Sequence, residues 1–435
     1  MDYADFLKSK ERKSTSIGFD VDSSYINPKL YPFQNHVVRW AIKKGRAALF
    51  EDCGLGKTPQ QLEWAHHVNQ HTERPVIIFA PLAVAEQTAR EGKKFGIPVN
   101  VCRSQSDVDA GVNITNYHIL HHFDPSKFGG IVLDESGILK NYGGHYRKEL
   151  TRFVNGIQFR LAATATPAPN DLVEIINHAE FLSIASGKEM IALYFIQDGN
   201  TTHAWRLRGH AVGPFYKFLA QWCVALRSPA DLGYCDKHFK LPKLNIEQHV
   251  VDGKVTEGFL FPIEAQSLAD RRLARKESIG TRVGLTAELV NGSDRPWLVL
   301  CNLNSESEAL AKEIPDAVEV KGSDTNEHKI DAMTGFAEGR YRVLVSKPSI
   351  CGYGMNFQHC ADMAFVGLSD SWEQFYQAVR RCWRFGQKRE VTAHVIISEK
   401  EGAVVANIER KERQAQAMME NIVNAMGETE HALAG

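Results

Sequence analysis

The chain has no Cys-x-x-Cys pair: its eight cysteines stand singly at 53, 102, 223, 235, 301, 351, 360 and 382. That spacing excludes zinc ribbons and thioredoxin-type exchange and reads as the scattered thiols of a reduced, cytosolic protein. No apolar run approaches the ~20 residues a membrane-spanning helix needs. The longest runs from about Pro75 to Ala85, and the N-terminal MDYADFLKSKERKSTS lacks the apolar centre of a signal peptide. There is no His-Glu-x-x-His among the 17 histidines. The adjacent pairs His66-His67 and His121-His122 point their rings apart, so histidine is expected to pack or face water rather than hold a metal. Charge of one sign is also missing: 51 Lys and Arg balance 52 Asp and Glu, a net of −1. This excludes a globally basic nucleic-acid coat but leaves room for a local basic groove. Gly and Pro, at 33 and 16, show no enrichment, which excludes collagen-like and low-complexity chains.

What is present is a 435-residue chain, 43% hydrophobic and 24% charged, the balance of a globular protein of two or three domains at ~150 residues each. Residues 1–29 are polar with weak periodicity and are expected to form an arm. From Leu30 short apolar runs (Ala47–Phe50, Val76–Ala80, Val112–Thr115, Ile131–Leu133, Arg160–Ala163) alternate with amphipathic stretches (Pro59–Asn69, Ala83–Phe95, Asp171–Leu182). Strands alternating with helices predict a parallel sheet covered on both faces. From about Ser183 to His238 the chain turns aromatic and basic. Phe215, Tyr216, Trp205 and Trp222 are expected to pack, while Arg206 and Arg208 keep contact with nucleic acid open. A second strand series begins near Leu241 (Trp297–Cys301, Ala317–Val320, Arg342–Val345, Ala364–Val366, Val391–Ile397), and Glu401 to Met426 reads as a helix. The division expected is an arm over 1–29, one α/β lobe with the aromatic insertion over 30–240, and a second lobe with the terminal helix over 241–435.

Three motifs carry chemistry. Glu51-Asp52-Cys53-Gly54-Leu55-Gly56-Lys57-Thr58 follows an apolar strand and opens a helical segment. Gly54 and Gly56 would let backbone N–H groups close around a phosphate, at a helix N-terminus whose dipole favours anions. Lys57 would neutralise terminal phosphates and Thr58 would hold Mg²⁺. Strict loops of this kind begin with Gly, where Glu51 stands here. Downstream, Asp134-Glu135 closes an apolar strand. Asp134 would bind Mg²⁺ through water and Glu135 would orient and deprotonate the attacking water. In the second half, Arg381 and Arg384 lie three apart, so a helix would put them on one face, the placement of arginine fingers. Arg271, Arg272, Arg275 and Lys276 form a basic stretch that could grip phosphates or simply face solvent.

Taken in order, these motifs resemble the superfamily 2 helicases, and most of all their Swi/Snf-related translocase branch, from about Leu30 to Gln387. Leu30 to Gln34 resembles the adenine-reading Q motif, which points to Gln34. Asp52 to Thr58 resembles motif I, and in this branch an acidic residue near the start of the loop is usual. Phe79-Ala80-Pro81 resembles motif Ia, and Ile114 to Tyr117 the DNA-contact motif that follows. Asp134 to Asn141 resembles motif II with the branch's trailing Lys140-Asn141. Thr164 to Pro167 resembles motif III, and Trp297–Asn304 sits at motif IV. Gly352 to Asn356, with Gly354, resembles motif V, and Gln377 to Gln387 resembles motif VI. Gly137 stands where the branch usually carries His, so the side-chain link from motif II to motif III is expected to be missing. The resemblance implies two RecA-like lobes, each a mostly parallel sheet flanked by helices, with a helical insertion between them. It implies an ATPase using ATP and Mg²⁺, with nucleotide contacts from Gln34, Gly54, Gly56, Lys57, Thr58, Gly354 and Gln377. Its partner would be nucleic acid, double-stranded DNA first, and its setting the cytoplasm of a bacterial or virus-infected host cell. The short core is similar to the minimal motors of phages and mobile elements. An ATP-switched clamp that holds DNA without translocating, and an RNA helicase, remain the alternatives.

Overall fold

The computed structural model describes residues 13–81, 84–140, 144–197, 205–251, 276–351 and 355–428. The chain divides into two compact units, one formed by Met1–Phe239 together with Gln414–Gly435, the other by Lys240–Arg413.

In the first unit the five apolar runs become β1 (Arg46–Glu51), β2 (Val76–Ala80), β4 (Val112–Asn116), β5 (Gly130–Asp134) and β6 (Phe159–Ala163), and the structure adds the short strand β3 (Val99–Val101), which the sequence did not signal. β2 and β6 are buried at every position. Continuous rather than alternating apolarity is what a parallel strand needs when helices cover both of its faces. The hairpin β7 (Phe195–Gln197) and β8 (Trp205–Leu207) stands apart, and β9 (Cys223–Leu226) completes a seven-stranded sheet in the order β3-β4-β2-β5-β6-β1-β9. Every neighbouring pair in it is parallel. Ala163 at the end of β6 is registered with Leu49 on β1 and with Asp134 on β5. The carboxyl ends of these three strands therefore lie together, at the edge where open α/β sheets bind ligands.

Two regions differ from the sequence reading. Residues 13–29 are no free arm. The amides of Ile17 and Gly18 donate to the carbonyls of Lys44 and Lys43, and Ile26 is buried in the core. The aromatic segment after Ser183 is more than an insertion, because β9 pairs with β1 and belongs to the main sheet. Phe215, Tyr216 and Trp222 are buried as expected, in the same core as Met418, Ile422 and Met426 from the last helix, Gly402–Glu428. That helix starts in the second unit and its residues from Gln414 count with the first.

The second unit holds β10 (Leu244–Val251), β11 (Trp297–Cys301), β12 (Ala317–Glu319), β13 (Val343–Ser346), β14 (Asp362–Val366) and β15 (Val391–Ser398), in the order β10-β15-β14-β11-β13-β12. All five pairings are parallel. Among the described residues no helix is long and apolar enough to cross a membrane.

A buried ion cluster, unforeseen in the sequence, anchors the second unit. Arg282, Glu306 and Glu401 have fully buried side chains, with Arg282 Nη1 2.7 Å from Glu306 Oε1 and Nε 4.0 Å from Glu401 Oε2. The second carboxylate oxygen of Glu306 accepts the amides of Asn302 and Leu303, and Oε2 of Glu401 accepts the amide of Ser398. Each acid thus caps a turn as well as pairing with Arg282. Removing the guanidinium would strand two carboxylates in the core, which typically costs ~3–5 kcal/mol. Arg282→Ala is expected to lower the melting midpoint by about 10 °C or more. A thermal melt within a few degrees of the parent would show the cluster to be dispensable.

Candidate active site

The phosphate loop takes the shape its glycines permit. Gly54 and Gly56 have φ of 93° and 81°, a region that other residues enter only with strain. Gly56 caps the helix Lys57–Thr72, with Lys57 and Thr58 in its first turn. A Cβ on Gly56 would lie 2.3 Å from Nε2 of Gln34, so a side chain there would displace the Gln34 amide in addition to straining φ. Gln34 donates from Nε2 to the Leu55 carbonyl at 2.7 Å and accepts the Tyr31 amide at Oε1 at 2.9 Å. It thereby ties the start of the helix Pro32–Lys44 to the loop.

Lys57 folds back on the loop, its Nζ donating to the carbonyls of Glu51 at 2.8 Å and Asp52 at 3.2 Å. Glu51, at the position where Gly was expected, is wholly buried. Its Oε2 accepts from Gln60 Nε2 at 2.8 Å. Burial raises its pKa to about 7, against the opposing pull of Lys57 and the Gln60 hydrogen bond. Glu51 thus acts as an internal brace between the end of β1 and the helix Lys57–Thr72, away from solvent.

The motif II carboxylates sit one residue apart in different environments. Asp134 Oδ1 accepts from Gln61 Nε2 at 2.8 Å, and the Asp134 carbonyl accepts the Tyr117 hydroxyl at 2.6 Å. Burial first, then the neighbouring Glu135 charge, raises the Asp134 pKa to about 6. A bound cation is the natural neutraliser of such a carboxylate. Glu135 has φ of 54°, a left-handed conformation costing of order 1–3 kcal/mol in a non-glycine residue and typical of functional turns. Thr164 Oγ1 lies 3.4 Å from Glu135 Oε2, and the Thr166 amide donates to Thr164 Oγ1 at 3.1 Å.

The link expected to be missing at Gly137 is therefore supplied by other side chains. Thr164 of motif III reaches Glu135 directly. Ser136 Oγ and His178 Nε2 are hydrogen-bonded at 3.1 Å in the core, which ties motif II to the helix Ile176–Phe181. Burial lowers the His178 pKa to about 3, so that ring stays neutral. The DNA-contact motif is corrected in part: Ile114, Thr115 and Tyr117 are buried, and Tyr117 positions Asp134. Gln60, Gln61 and His178 were absent from the sequence reading. Helix spacing would have placed Gln60 and Gln61 one turn past Lys57, but nothing local names their partners.

In the second unit Gln377 and Arg381 form one assembly on the helix Trp372–Cys382. Arg381 donates from Nε to the Gln377 carbonyl, from Nη2 to Gln377 Oε1 at 3.0 Å, and from Nη1 to the Met355 carbonyl at 3.3 Å. The expectation that Arg381 and Arg384 share a helical face is wrong. The helix ends at Cys382, and Trp383 leaves it with φ −89° and ψ 82° while its indole donates to the Pro242 carbonyl at 2.7 Å. The two arginines nevertheless converge, because Arg384 Nη1 also reaches the Met355 carbonyl, at 3.5 Å. Arg380 is buried and stacks 4.7 Å from the Trp383 ring. Gly354, Arg271, Arg272, Arg275 and Asn141 lie outside the described residues, and Lys276 is exposed.

The loop residues Gly54 to Thr58, with Gln34, Asp134 and Glu135, are thus held at one edge of the first sheet, and Gln377, Arg381 and Arg384 gather around Met355 in the second unit. Residues 33–192 match the SNF2-related domain, and residues 283–386 match the helicase conserved C-terminal domain. A SWI/SNF-related matrix-associated actin-dependent regulator of chromatin subfamily A-like protein 1 from Drosophila melanogaster is 22% identical over 421 residues, 86% of this chain and 54% of that protein. The ATP-dependent helicase FUN30 of Saccharomyces cerevisiae is 28% identical over 180 residues, 35% of this chain and 16% of its own length. The chain thus spans about half or less of these curated relatives. Among solved structures, the Sulfolobus solfataricus SWI2/SNF2 ATPase core in complex with dsDNA is 17% identical, with a TM-score of 0.44, covering 87% of this chain and 90% of that one.

Proposed function

Because the chain belongs to the SNF2-related branch of the superfamily 2 helicases, we propose that it is an ATP-dependent DNA translocase or helicase, hydrolysing ATP to move along or remodel DNA. The observation that carries this reading is the Gln61–Asp134 hydrogen bond, which joins the phosphate-loop helix to the motif II carboxylates. It supports a reading in which a phosphate cradle lies beside a metal-and-water site, the two halves of phosphoryl transfer.

In this reading the loop amides and Lys57 hold the terminal phosphates. Lys57 exchanges the Glu51 and Asp52 carbonyls for phosphate oxygens. Thr58 and Asp134 are the residues suited to Mg²⁺, which supplies charge neutralisation when bound. Glu135 takes a proton from the attacking water, held at its angle by Thr164. Arg381 and Arg384 stabilise the charge that develops in the transition state. DNA is gripped mainly through its phosphates, so binding is sequence-tolerant and salt-sensitive. The setting we propose is the cytoplasm of a bacterial or virus-infected host cell, free of any membrane, with a monomer sufficient for the chemistry described.

The test compares steady-state ATP hydrolysis with duplex DNA, single-stranded DNA, RNA and no nucleic acid. Strong stimulation by duplex DNA is the expected result. Stimulation by RNA alone would make this an RNA helicase, and DNA binding without stimulated turnover would make it a clamp. Lys57→Ala is expected to abolish turnover in all four conditions with an unchanged circular dichroism spectrum, since the loop adds little to the core. Parental turnover in Lys57→Ala would remove the phosphate loop from the mechanism.

A further inference from the structure

The parallel strands β10 and β15 bring three donor side chains together at the edge of the second sheet. Glu247 and His394 are register partners, and His249 follows two residues after Glu247, on the same face. His249 Nε2 lies 3.0 Å from His394 Nδ1, and His394 Nδ1 lies 3.4 Å from Glu247 Oε2. All three donor atoms fall within 4.8 Å of one another.

We propose that Glu247, His249 and His394 form a binding site for a divalent transition metal, zinc by preference, which pins the edge strand β10 to β15. The first support is distance. Bonds of 2.0–2.1 Å in a tetrahedral zinc site put neighbouring ligand atoms about 3.3–3.4 Å apart. The His249–His394 and Glu247–His394 separations lie within a few tenths of an ångström of that value, and the third is within 4.8 Å, so side-chain shifts alone would close the set on a cation.

The second support is the inventory of lone pairs. His394 Nδ1 faces both an imidazole nitrogen and a carboxylate oxygen. If it accepts a proton from His249, its filled lone pair also faces the Glu247 carboxylate; if it donates to Glu247, it offers nothing to the lone pair of His249. One shared cation satisfies all three donors at once. Two imidazoles and a carboxylate are a donor set suited to zinc and its neighbours rather than to Mg²⁺ or Ca²⁺.

The surroundings hold the set in place. Trp297 on β11 stacks on the His394 ring, with centroids 5.3 Å apart and planes 29° apart. Such support behind a ligating histidine fixes the orientation of its ring. Asp362 on β14 belongs to the same face, one register step from His394, since it pairs with Thr392. It is 3% exposed, its Oδ1 is paired with Arg295 at 3.1 Å, and its Oδ2 is buried with no hydrogen-bond partner among the described residues. It acts on His394 electrostatically, with Arg295 offsetting part of its charge there. Glu247 is exposed and leaves a path from solvent and an open coordination position for water.

The site would clip together strands whose ligands are 145 residues apart in sequence, the first and last strands of the second unit. A metal that binds only the folded chain raises its stability with the logarithm of free metal. At a hundredfold excess over the dissociation constant the melting midpoint should rise by about 5 °C or more.

The experiment uses the full chain, stripped with a chelator and titrated with Co²⁺ and then with Zn²⁺. One equivalent of Co²⁺ should bind with visible d–d bands and without the near-ultraviolet thiolate charge-transfer band, and Zn²⁺ should displace it and raise the melting midpoint. His249→Gln and Glu247→Gln, which keep size and hydrogen bonding on a partly exposed edge strand, should melt like the parent without metal and bind at least tenfold more weakly. If one of them fails to fold, the other carries the test. No binding in the micromolar range, a thiolate band, or parental affinity in a folded variant would overturn the site.

Discussion

Arg381→Ala is expected to cut DNA-stimulated ATP turnover by about 10³–10⁵-fold while ATP affinity changes only modestly. An arginine finger acts on charge that appears in the transition state, so its loss falls on turnover rather than on binding. Arg381 is nearly buried, and its guanidinium makes hydrogen bonds to Gln377 and Met355. The alanine variant could therefore also lose stability, and Arg381→Lys separates the two effects. Lysine keeps the charge but loses the planar fork that holds Gln377 and Met355 together. If Arg381→Lys folds with the parental melting midpoint and still turns over at least a hundredfold more slowly, the fork geometry is what the reaction needs. Arg380 is the control. It is packed against Trp383 and Tyr376, so Arg380→Ala should lower the melting midpoint through lost packing and stacking, and its folded fraction should keep near-parental turnover. Greater damage to turnover from Arg380→Ala than from Arg381→Ala would reverse the assignment.

Glu135→Gln is the second variant with a large expected effect. General bases contribute ~10²–10⁴-fold, and an amide cannot take the proton of the attacking water. Glutamine preserves the shape of the side chain and can still meet Thr164 Oγ1, so ATP and Mg²⁺ binding should survive and the protein should stall with nucleotide bound. Asp134→Asn should behave differently. Asp134 is tied to Gln61 and Tyr117 and is the carboxylate suited to the metal, so its loss should weaken ATP binding in Mg²⁺ more than in chelator. Nucleotide affinity of both variants, with and without Mg²⁺, checks this. Equal binding by the two, or parental turnover by Glu135→Gln, would collapse the division of roles.

The sequence by itself was enough for most of the strands, though not for β3, β7, β8 and β9, and for the turn of the Gly54–Gly56 loop into a helix and the order of the motifs. Each is a local matter: Ala-Ala-Leu-Phe must be buried on both faces, Gly54 and Gly56 accept left-handed φ, and Lys57 and Thr58 begin a helix because those glycines let the chain turn into one. The same local logic failed at Arg384, where the i, i+3 pattern presumed a helix that ends two residues earlier. It failed at Gly137 as well, where the absent histidine is answered by Thr164 and by His178, the latter 42 residues from its partner Ser136. What only the tertiary structure decided are the pairings between elements. Gln61 meets Asp134 across 73 residues, Arg282 meets Glu306 and Glu401 in a core, and His249 meets His394 across 145. The physical reason is that strand order in a parallel sheet is permuted relative to the chain, β3-β4-β2-β5-β6-β1-β9 in one unit and β10-β15-β14-β11-β13-β12 in the other. Which side chains face each other then depends on sheet neighbours and register, and a local hydrophobic pattern holds neither.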